Sequence, residues 1–389
     1  MTDDSLILPG GKVDPDAVRF AIGGAETDEH GESEGLARVT FRLTRDLAKR
    51  LDKYLTDRIP FMSRNQLQRL IDEGGVTVNG RSAKASQNLR LNDVVEVALP
   101  PPPSTEIQAE DIPLDVVFED EHLIVVNKQP GLIVHPARSH LKGTLLNALV
   151  HHFQSAASVA PMSRLSTVGK EHARPGVVHR LDRFTSGVMV VAKDDTAHWR
   201  LGRQFENRQV DKRYLALVEG NVEADADVID VPLGDSVSRV KGKREKQQVR
   251  YDESGRPAVT IYRVRQRFIA PPASSTKQRE SRSYSLVELE LKTGRTHQIR
   301  VHMAHLGHPL VGDDMYGGKH FDLGEGRGQF TRQALHAALL GFRHPISNEA
   351  MRFIAPWPAD LVELLAAVRE GREATDVLTP PGATVALTG

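Results

Sequence analysis

The stretch that decides the fold is GVVHRLDRFTSGVMVVAK, residues 176–193, in which one carboxylate, Asp182, stands between two apolar runs. The run GVMVVAK is rich in β-branched residues and predicts a buried strand. Asp182 is therefore expected in a turn at a strand end, a common place for a rigid scaffold to present a reactive group. A lone Asp between two arginines is more often a structural ion-pair partner, so both interpretations stay open on these residues alone.

The surrounding sequence predicts a mixed sheet with a few helices. Further strand-like runs are LIVVNK (123–128), RYLALV (213–218) and YSLVELEL (284–291). Residues 194–207 and 296–307 have helical spacing, and the second stretch ends on Gly307. Because strands and helices do not alternate strictly, we expect an α+β domain from about 114 to 370, followed by a flexible tail, 371–389.

The first hundred residues divide into a tail and a compact module. Residues 1–37 hold nine acidic residues against two basic ones and show no periodicity, which predicts disorder. Residues 38–99 carry 12 basic and 7 acidic residues. There, Ser63 and Gln66 form a helix capping box, and Asn79-Gly80 predicts a hairpin turn. Four prolines then open a predicted semi-rigid linker, 100–113.

Composition limits the possible functions. The 389 residues contain no cysteine, which excludes disulfides, thiolate nucleophiles and thiolate-bound zinc. No apolar run approaches the roughly 18 residues that span a bilayer, and the acidic N-terminus does not resemble a signal peptide, so we expect a cytoplasmic protein without a membrane partner. Behind the acidic tail the chain has a balance of +7. That excess fits a polyanionic partner or, equally, an ordinary protein with an acidic extension.

Several catalytic motifs are missing from the sequence. Ser186 lies in FTSG rather than in a G-x-S-x-G elbow. No H-E-x-x-H occurs, and His297 and His302 are five residues apart, a poor spacing for one helix face. Phosphate-binding and dinucleotide-binding glycine motifs are also missing. We therefore expect acid–base or covalent chemistry without a metal or cofactor.

Four stretches in this order, NKQPGLIVHP (127–136), HRLDRFTSG (179–187), DKRYLALVEG (211–220) and GRTHQIRVH (294–302), resemble the RluA/RluD-type RNA pseudouridine synthases. The similarity runs from about 38 to 365, and residues 38–99 resemble the S4-type RNA-binding domain. The resemblance implies an α+β fold, in which a mixed, largely antiparallel sheet forms the catalytic domain behind a small α+β RNA-binding domain. It also implies an enzyme that isomerises uridines in large-subunit ribosomal RNA, for which we expect looped or single-stranded target sites. We further expect a monomer, although the sequence leaves the oligomeric state open.

The resemblance assigns roles to individual residues. Asp182 matches the essential aspartate of the family. Tyr214 matches the tyrosine that lies against the target base and is proposed to handle the proton at carbon 5. Arg295 is expected to pair with Asp182, and Phe184 replaces an acid that is common at its position. The expected RNA contacts are Arg180, which would enter the RNA stack in place of the flipped base, and Arg50, Arg64 and Lys128.

Two other functions stay open at this stage. A protein with this fold could bind RNA or assist ribosome assembly without catalysis. A nucleoside-bond hydrolase could use the same carboxylate to release free uracil.

Overall fold

The computed structural model describes residues 6–15, 17–18, 37–47, 49–99, 107–135, 142–156, 165, 175–236, 246–271, 282–324, 326–377 and 385. The chain divides into two compact units, Met1–Ser104 and Thr105–Gly389. Most of the acidic tail and the four prolines lie outside the described residues.

The first unit packs two short helices against a small antiparallel sheet. The helices are α1 (Leu51–Arg58) and α2 (Arg64–Asp72), and the strands β1 (Ala37–Arg42), β2 (Val76–Val78), β3 (Arg81–Ser82) and β4 (Val94–Leu99) pair in the order β1-β4-β2-β3. Ser63 and Gln66 form the predicted capping box at the start of α2. Asn79 and Gly80 both have positive φ angles, 54° and 72°, as the two-residue turn between β2 and β3 requires.

Part of the N-terminal segment is packed, so the prediction of disorder is wrong for it. Leu6, Val13 and Val18 are at most 3% exposed and join the core of the first unit. Ile7 and Val13 also form a β-bridge. The acidic composition of the segment hid these few apolar side chains, and burying them offsets the entropy cost of ordering the backbone.

The second unit is built on a ten-stranded sheet. Its strands are β5 (Val116–Glu119), β6 (Leu123–Lys128), β7 (Ser186–Ala192), β8 (Asp211–Glu219), β9 (Ala226–Asp230), β12 (Val259–Ile269), β13 (Tyr284–Leu291), β16 (Leu335–Arg343), β17 (Ala350–Ile354) and β18 (Glu373–Asp376). The main order is β18-β12-β13-β8-β16-β7-β6-β5, with β9 on β12 and β17 on β16. Two small ribbons complete the described strands, β10 (Leu233–Asp235) with β11 (Gln247–Val249) and β14 (Phe321–Asp322) with β15 (Gln329–Phe330).

The sheet is mixed and largely antiparallel, as predicted. Among the described pairs of this sheet only β7 and β16 run parallel. Helices α3 (Leu145–Ala156), α4 (Asp195–Glu206), α5 (Gln298–His305) and α6 (Ala359–Arg369) complete the unit.

Both faces of β7 are covered, which explains its unbroken apolar sequence. Met189 and Val191 join a core with residues of α3 and α5, whereas Val188 and Val190 join a core with α4. A strand that is buried on both sides has no polar face, so GVMVVA does not alternate.

Two predicted boundaries need correction. Ile107 and Ile112 of the expected linker pack against the core of the second unit, and Asn147 donates a hydrogen bond to the carbonyl of Gln108. In the expected flexible C-terminal tail, β18 pairs with β12, and Val385 is buried. None of the helices among these described residues has the length and apolar character of a membrane crossing.

Candidate active site

Asp182 lies in a short loop that leads into β7. Its side chain is 19% exposed, and its carbonyl accepts a hydrogen bond from the Thr185 amide at 3.1 Å. The carbonyl of the next residue, Arg183, accepts a hydrogen bond from the Gly131 amide at 2.9 Å, and the Arg183 Nε donates back to the Gly131 carbonyl at 3.1 Å. The loop that follows β6 therefore holds the Asp182 loop by its backbone.

Lys128, one of the expected RNA contacts, is buried and belongs to this support. Its side chain is 1% exposed, and its Nζ donates to the carbonyls of Gln129, Leu132 and Arg183. Burial lowers the pKa of Lys128 to about 7, although the nearby Asp182 charge opposes that shift. A buried amine with three carbonyl acceptors positions the loop and cannot reach a phosphate outside it.

The start of β7 is held against β16. Ser186 and the buried His336 share a hydrogen bond of 3.0 Å, and Arg332 donates to the carbonyl of Phe184 at 3.0 Å. Gly187 has a φ of 119°, and a Cβ there would lie 2.2 Å from the carbonyl oxygen of Ala337. The glycine of HRLDRFTSG is therefore needed for the close approach of the two strands.

The cation that pairs with Asp182 is Arg300, not Arg295. The Arg300 Nη1 donates to the Asp182 Oδ2 at 3.2 Å, whereas the exposed Arg295 donates its Nε to the carbonyl of Pro257. Asp313, 1% exposed, grips the same guanidinium through the Arg300 Nε and Nη2 at 2.7 and 2.8 Å. Burial alone would lower the pKa of Arg300, but Asp313 and Asp182 outweigh it and raise that pKa further above its usual range.

An aromatic side chain backs this ion pair. The guanidinium carbon of Arg300 lies 4.9 Å from the centroid of the Tyr316 ring. The Tyr316 hydroxyl hydrogen-bonds the Nδ1 of His297 at 2.7 Å, and the His297 Nε2 lies 3.8 Å from the Asp182 Oδ2. Burial lowers the pKa of His297 despite the Asp182 charge, so the imidazole is mainly neutral at pH 7. Arg300 is therefore the stable positive charge beside Asp182.

Tyr214 lines the same cleft from β8. It is 8% exposed and lies between Leu289 of β13 and Ala337 of β16 in the sheet. Burial, reinforced by the negative charge of Asp182, raises the pKa of Tyr214. The phenol is therefore protonated at neutral pH and offers both a flat face and a hydrogen-bond donor.

These side chains surround a cleft of about 620 Å³. Among the described residues it is lined by six lysine and arginine side chains against two carboxylates, those of Asp182 and Glu206. The basic side chains are Arg180, Arg208, Lys212, Lys292, Arg295 and Arg300. Such a lining attracts a polyanion and leaves one carboxylate facing it beside a fixed guanidinium.

Arg180 is exposed on the rim of the cleft, two residues before Asp182. The chain immediately before Arg180 is anchored by His179, whose Nε2 accepts a hydrogen bond from the Val190 amide and whose ring stacks on that of Phe205 with 4.5 Å between the ring centroids. Burial lowers the pKa of His179 to about 3, so this imidazole is neutral.

In the first unit, the two predicted RNA-binding arginines share one buried acid. Arg50 and Arg64 each donate two hydrogen bonds to Asp52, and Gln68 adds another at 2.9 Å. The Asp52 side chain is fully buried, whereas those of Arg50 and Arg64 are 43% and 46% exposed. Asp52 therefore fixes two guanidinium groups side by side while leaving part of each open to a ligand.

The sequence pattern did not reveal Arg300, Asp313 or Tyr316 as parts of the site. Both Arg295 and Arg300 belong to the motif GRTHQIRVH. They differ in that Arg295 precedes helix α5, whereas Arg300 lies within it. Since α5 begins at Gln298, Arg300 lies one turn from its N-cap, His297, on the side of Asp182. Helix phase was the signal that could have distinguished the two arginines.

This arrangement suits chemistry on a neutral ring attached to a polyanion. An ionised carboxylate can attack or stabilise an electron-poor carbon, and a fixed guanidinium keeps it oriented and charged. The protonated phenol of Tyr214 can stack on a flat ring and take part in proton transfer.

The chain is similar to known proteins along most of its length. Residues 122–305 match the RNA pseudouridylate synthase family, and residues 49–95 match the S4 domain. An uncharacterized RNA pseudouridine synthase of Bacillus subtilis, YlyB, is 39% identical over 324 residues, covering 83% of this chain and 95% of that protein. A Xylella fastidiosa protein named ribosomal large subunit pseudouridine synthase D is 39% identical over 345 residues, covering 86% and 94%. The solved human RNA pseudouridylate synthase domain containing 1 aligns with a TM-score of 0.48 and 26% identity over 70% of this chain and 93% of that one. The chain belongs to the RNA pseudouridylate synthase family and carries an S4 domain ahead of its catalytic region.

Proposed function

We propose that this RNA pseudouridine synthase isomerises specific uridines in large-subunit ribosomal RNA, with Asp182 as its catalytic carboxylate. The observation that carries the proposal is the position of Asp182 in a cationic cleft, hydrogen-bonded to Arg300, which Asp313 holds in turn. The name of the Xylella fastidiosa relative supports the ribosomal substrate.

The chemistry assigns a task to each side chain. Isomerising uridine requires the glycosidic bond to break, the uracil to turn, and a carbon–carbon bond to form at the sugar. Asp182 acts in its ionised form at the ring or the anomeric carbon. Arg300 takes the part expected of Arg295, and Tyr214 lies against the base and handles the proton at carbon 5, a role typically contributing about 10²–10⁴-fold.

The target base must leave its stack to reach Asp182. Flipping costs a few kcal/mol and is easier in looped or single-stranded RNA. Arg180, exposed on the rim, fills the vacated space. Arg50 and Arg64 add phosphate contacts from the S4 domain, which offset part of the cost.

We further propose that the enzyme works as a monomer in the cytoplasm, without a metal or cofactor. The ribosomal substrate supports the location.

Tritium release from RNA labelled at carbon 5 of uridine tests the catalytic assignment. Because carbon 5 loses its hydrogen when the new bond forms, the wild-type enzyme should release label. Asp182→Asn should reduce that release at least about 10³-fold, since it removes the only proposed anion at the reacting carbon. Asp314→Asn, an exposed acid next to Asp313, is the matched control and should retain wild-type release.

The same assay separates the other two functions. A non-catalytic RNA-binding protein would release no label even as wild type. A hydrolase would liberate free uracil and leave abasic RNA, whereas the proposed reaction leaves carbodiimide-reactive pseudouridine in the chain. Asp182→Asn with wild-type turnover would overturn the assignment.

A further inference from the structure

Lys212 lies on the cleft side of β8 and has no part in the chemistry proposed for Asp182, Arg300 and Tyr214. It is two residues before Tyr214, and alternate residues of a strand face the same side. Both residues line the cleft. Arg213, between them, faces the other side, where it pairs with Asp211 and Glu290.

The Lys212 amine has no hydrogen-bond acceptor in the described part of the chain. Its recorded contact is the ring of Phe205, 6.0 Å from the Nζ. Lys212 is half-buried, whereas two lysines of this unit that are buried both have acceptors: Lys128 has three carbonyls, and Lys193 donates to Glu119 and to the carbonyl of Asp120. Lys212 is the exception among them, and an unpaired, partly buried cation costs free energy that an anionic ligand can recover.

The groups around Lys212 leave room for an anion. His179 is neutral, and its Nε2 is occupied by the Val190 amide. Arg208, Lys292 and Arg295 add positive charge to the same cleft, and the exposed Glu206 is the acid on this wall. Burial lowers the pKa of Lys212 to about 8, which still leaves the amine mostly protonated at pH 7.

We propose that Lys212 binds a backbone phosphate of the nucleotide that enters the cleft, and this inference rests on the proposed function. Two residues of a strand span about 7 Å. With the base against Tyr214, the neighbouring phosphate of the same nucleotide comes within reach of Lys212. The amine then holds the nucleotide in the cleft through its phosphate, equally before and during the reaction. Lys212 is a substrate-binding residue and takes no part in bond making.

The first test measures RNA affinity as a function of salt for Lys212→Gln, Lys212→Arg and, as a control, Lys319→Gln. Lys319 is exposed and outside the cleft lining. Loss of one phosphate contact should weaken binding roughly 10-fold and reduce the slope of log affinity against log salt by about one. Lys212→Arg should keep the wild-type slope, and Lys319→Gln should not change it. The kcat of Lys212→Gln should fall less than about 3-fold, because the phosphate contact is made equally before and during the reaction.

The second test replaces single phosphates around the target uridine with uncharged methylphosphonates. At one position the wild-type protein should lose affinity and Lys212→Gln should lose none, because the two changes remove the same contact. If the affinity losses from the methylphosphonate and from Lys212→Gln add at every position, the proposal is overturned. A fall in kcat with an unchanged salt slope also overturns it, because the amine would then act on the base rather than on a phosphate. The salt slopes and the methylphosphonate affinities need no turnover. A wild-type protein that binds RNA but releases no tritium would therefore defeat the proposed function and leave the Lys212 result readable.

Discussion

At the scale of single residues, the site depends on how the Arg300 guanidinium divides its donors. Asp313 occupies the Nε and Nη2, and the Nη1 is left for Asp182. Two carboxylates on one guanidinium form a rigid fork, so Asp182 keeps one orientation without a contact from the substrate. An arginine attached only to Asp182 would lose this preorganisation.

Arg300 and Arg295 are expected to differ sharply when they are replaced. Arg300→Gln should lower kcat by about 10²–10³-fold, the usual effect of removing a preorganised donor beside developing charge. Arg295→Gln removes an exposed charge from the cleft and should mainly raise KM. Single-turnover and steady-state rates on the same RNA separate the two effects, and an equal loss of kcat in both variants would return Arg295 to the reaction.

The residues that sequence alone could and could not identify differ in a physical way. Asp182 and Tyr214 were assigned through the motifs that resemble the family, and the structure places both of them in the lining of the cleft. To identify Arg300 as the partner of Asp182, the first residue of α5 had to be known to within one position, and sequence patterns rarely locate a helix start that closely. The burial of Lys128 did not follow from the sequence, because only the folded loop brings its three carbonyl acceptors together.

At the scale of elements, the S4 domain has its own buried charge. Burial alone would raise the pKa of Asp52, but the hydrogen bonds from Arg64, Arg50 and Gln68 outweigh it and hold that pKa well below its usual range. The acid ties the start of α1 to α2, because Arg64 opens α2 and Gln68 lies one turn further along it. Asp52 therefore supports the fold and orders the two arginines at once.

Asp52→Asn is expected to destabilise the first unit by about 1–3 kcal/mol, the cost of leaving charged donors without their acceptor. Because the folded pKa is depressed, this stabilisation is fully present above the ordinary pKa of an aspartate and fades as the pH falls below about 4. Urea unfolding of the wild-type and variant chains at pH 7 and pH 3 measures both points. A difference between the two chains that grows toward pH 3 would contradict the assignment.

At the scale of the whole molecule, the proposed RNA contacts fall in two compact units. The paired arginines lie in the first, and the cationic cleft with Asp182 lies in the second. The division into two units follows the composition of the chain, in which the basic module ends at four prolines. Composition did not predict that parts of the N-terminal and C-terminal tails are ordered. A few buried side chains, such as Val13 and Val385, decide whether a polar segment packs against the core of its unit.

Removing residues 1–104 should weaken RNA binding and reduce its salt slope by roughly two, since the contacts of Arg50 and Arg64 are lost. The chemical step should survive, because Asp182, Tyr214 and Arg300 all lie in the second unit. Salt titrations of binding and single-turnover rates at saturating RNA measure the two expectations, with a thermal melt as the control for folding. A shortened chain with the full slope would remove the RNA-binding role from the S4 domain.

The parallel pairing of β7 with β16 has a consequence for the order of assembly during synthesis. Ser186, just after the Asp182 loop, bonds His336, 150 residues later, and Asp182 itself waits for an arginine 118 residues downstream. Closure over such distances is slow and must follow translation of nearly the entire polypeptide. A nascent chain that ends before this arginine therefore carries an unfinished reaction centre.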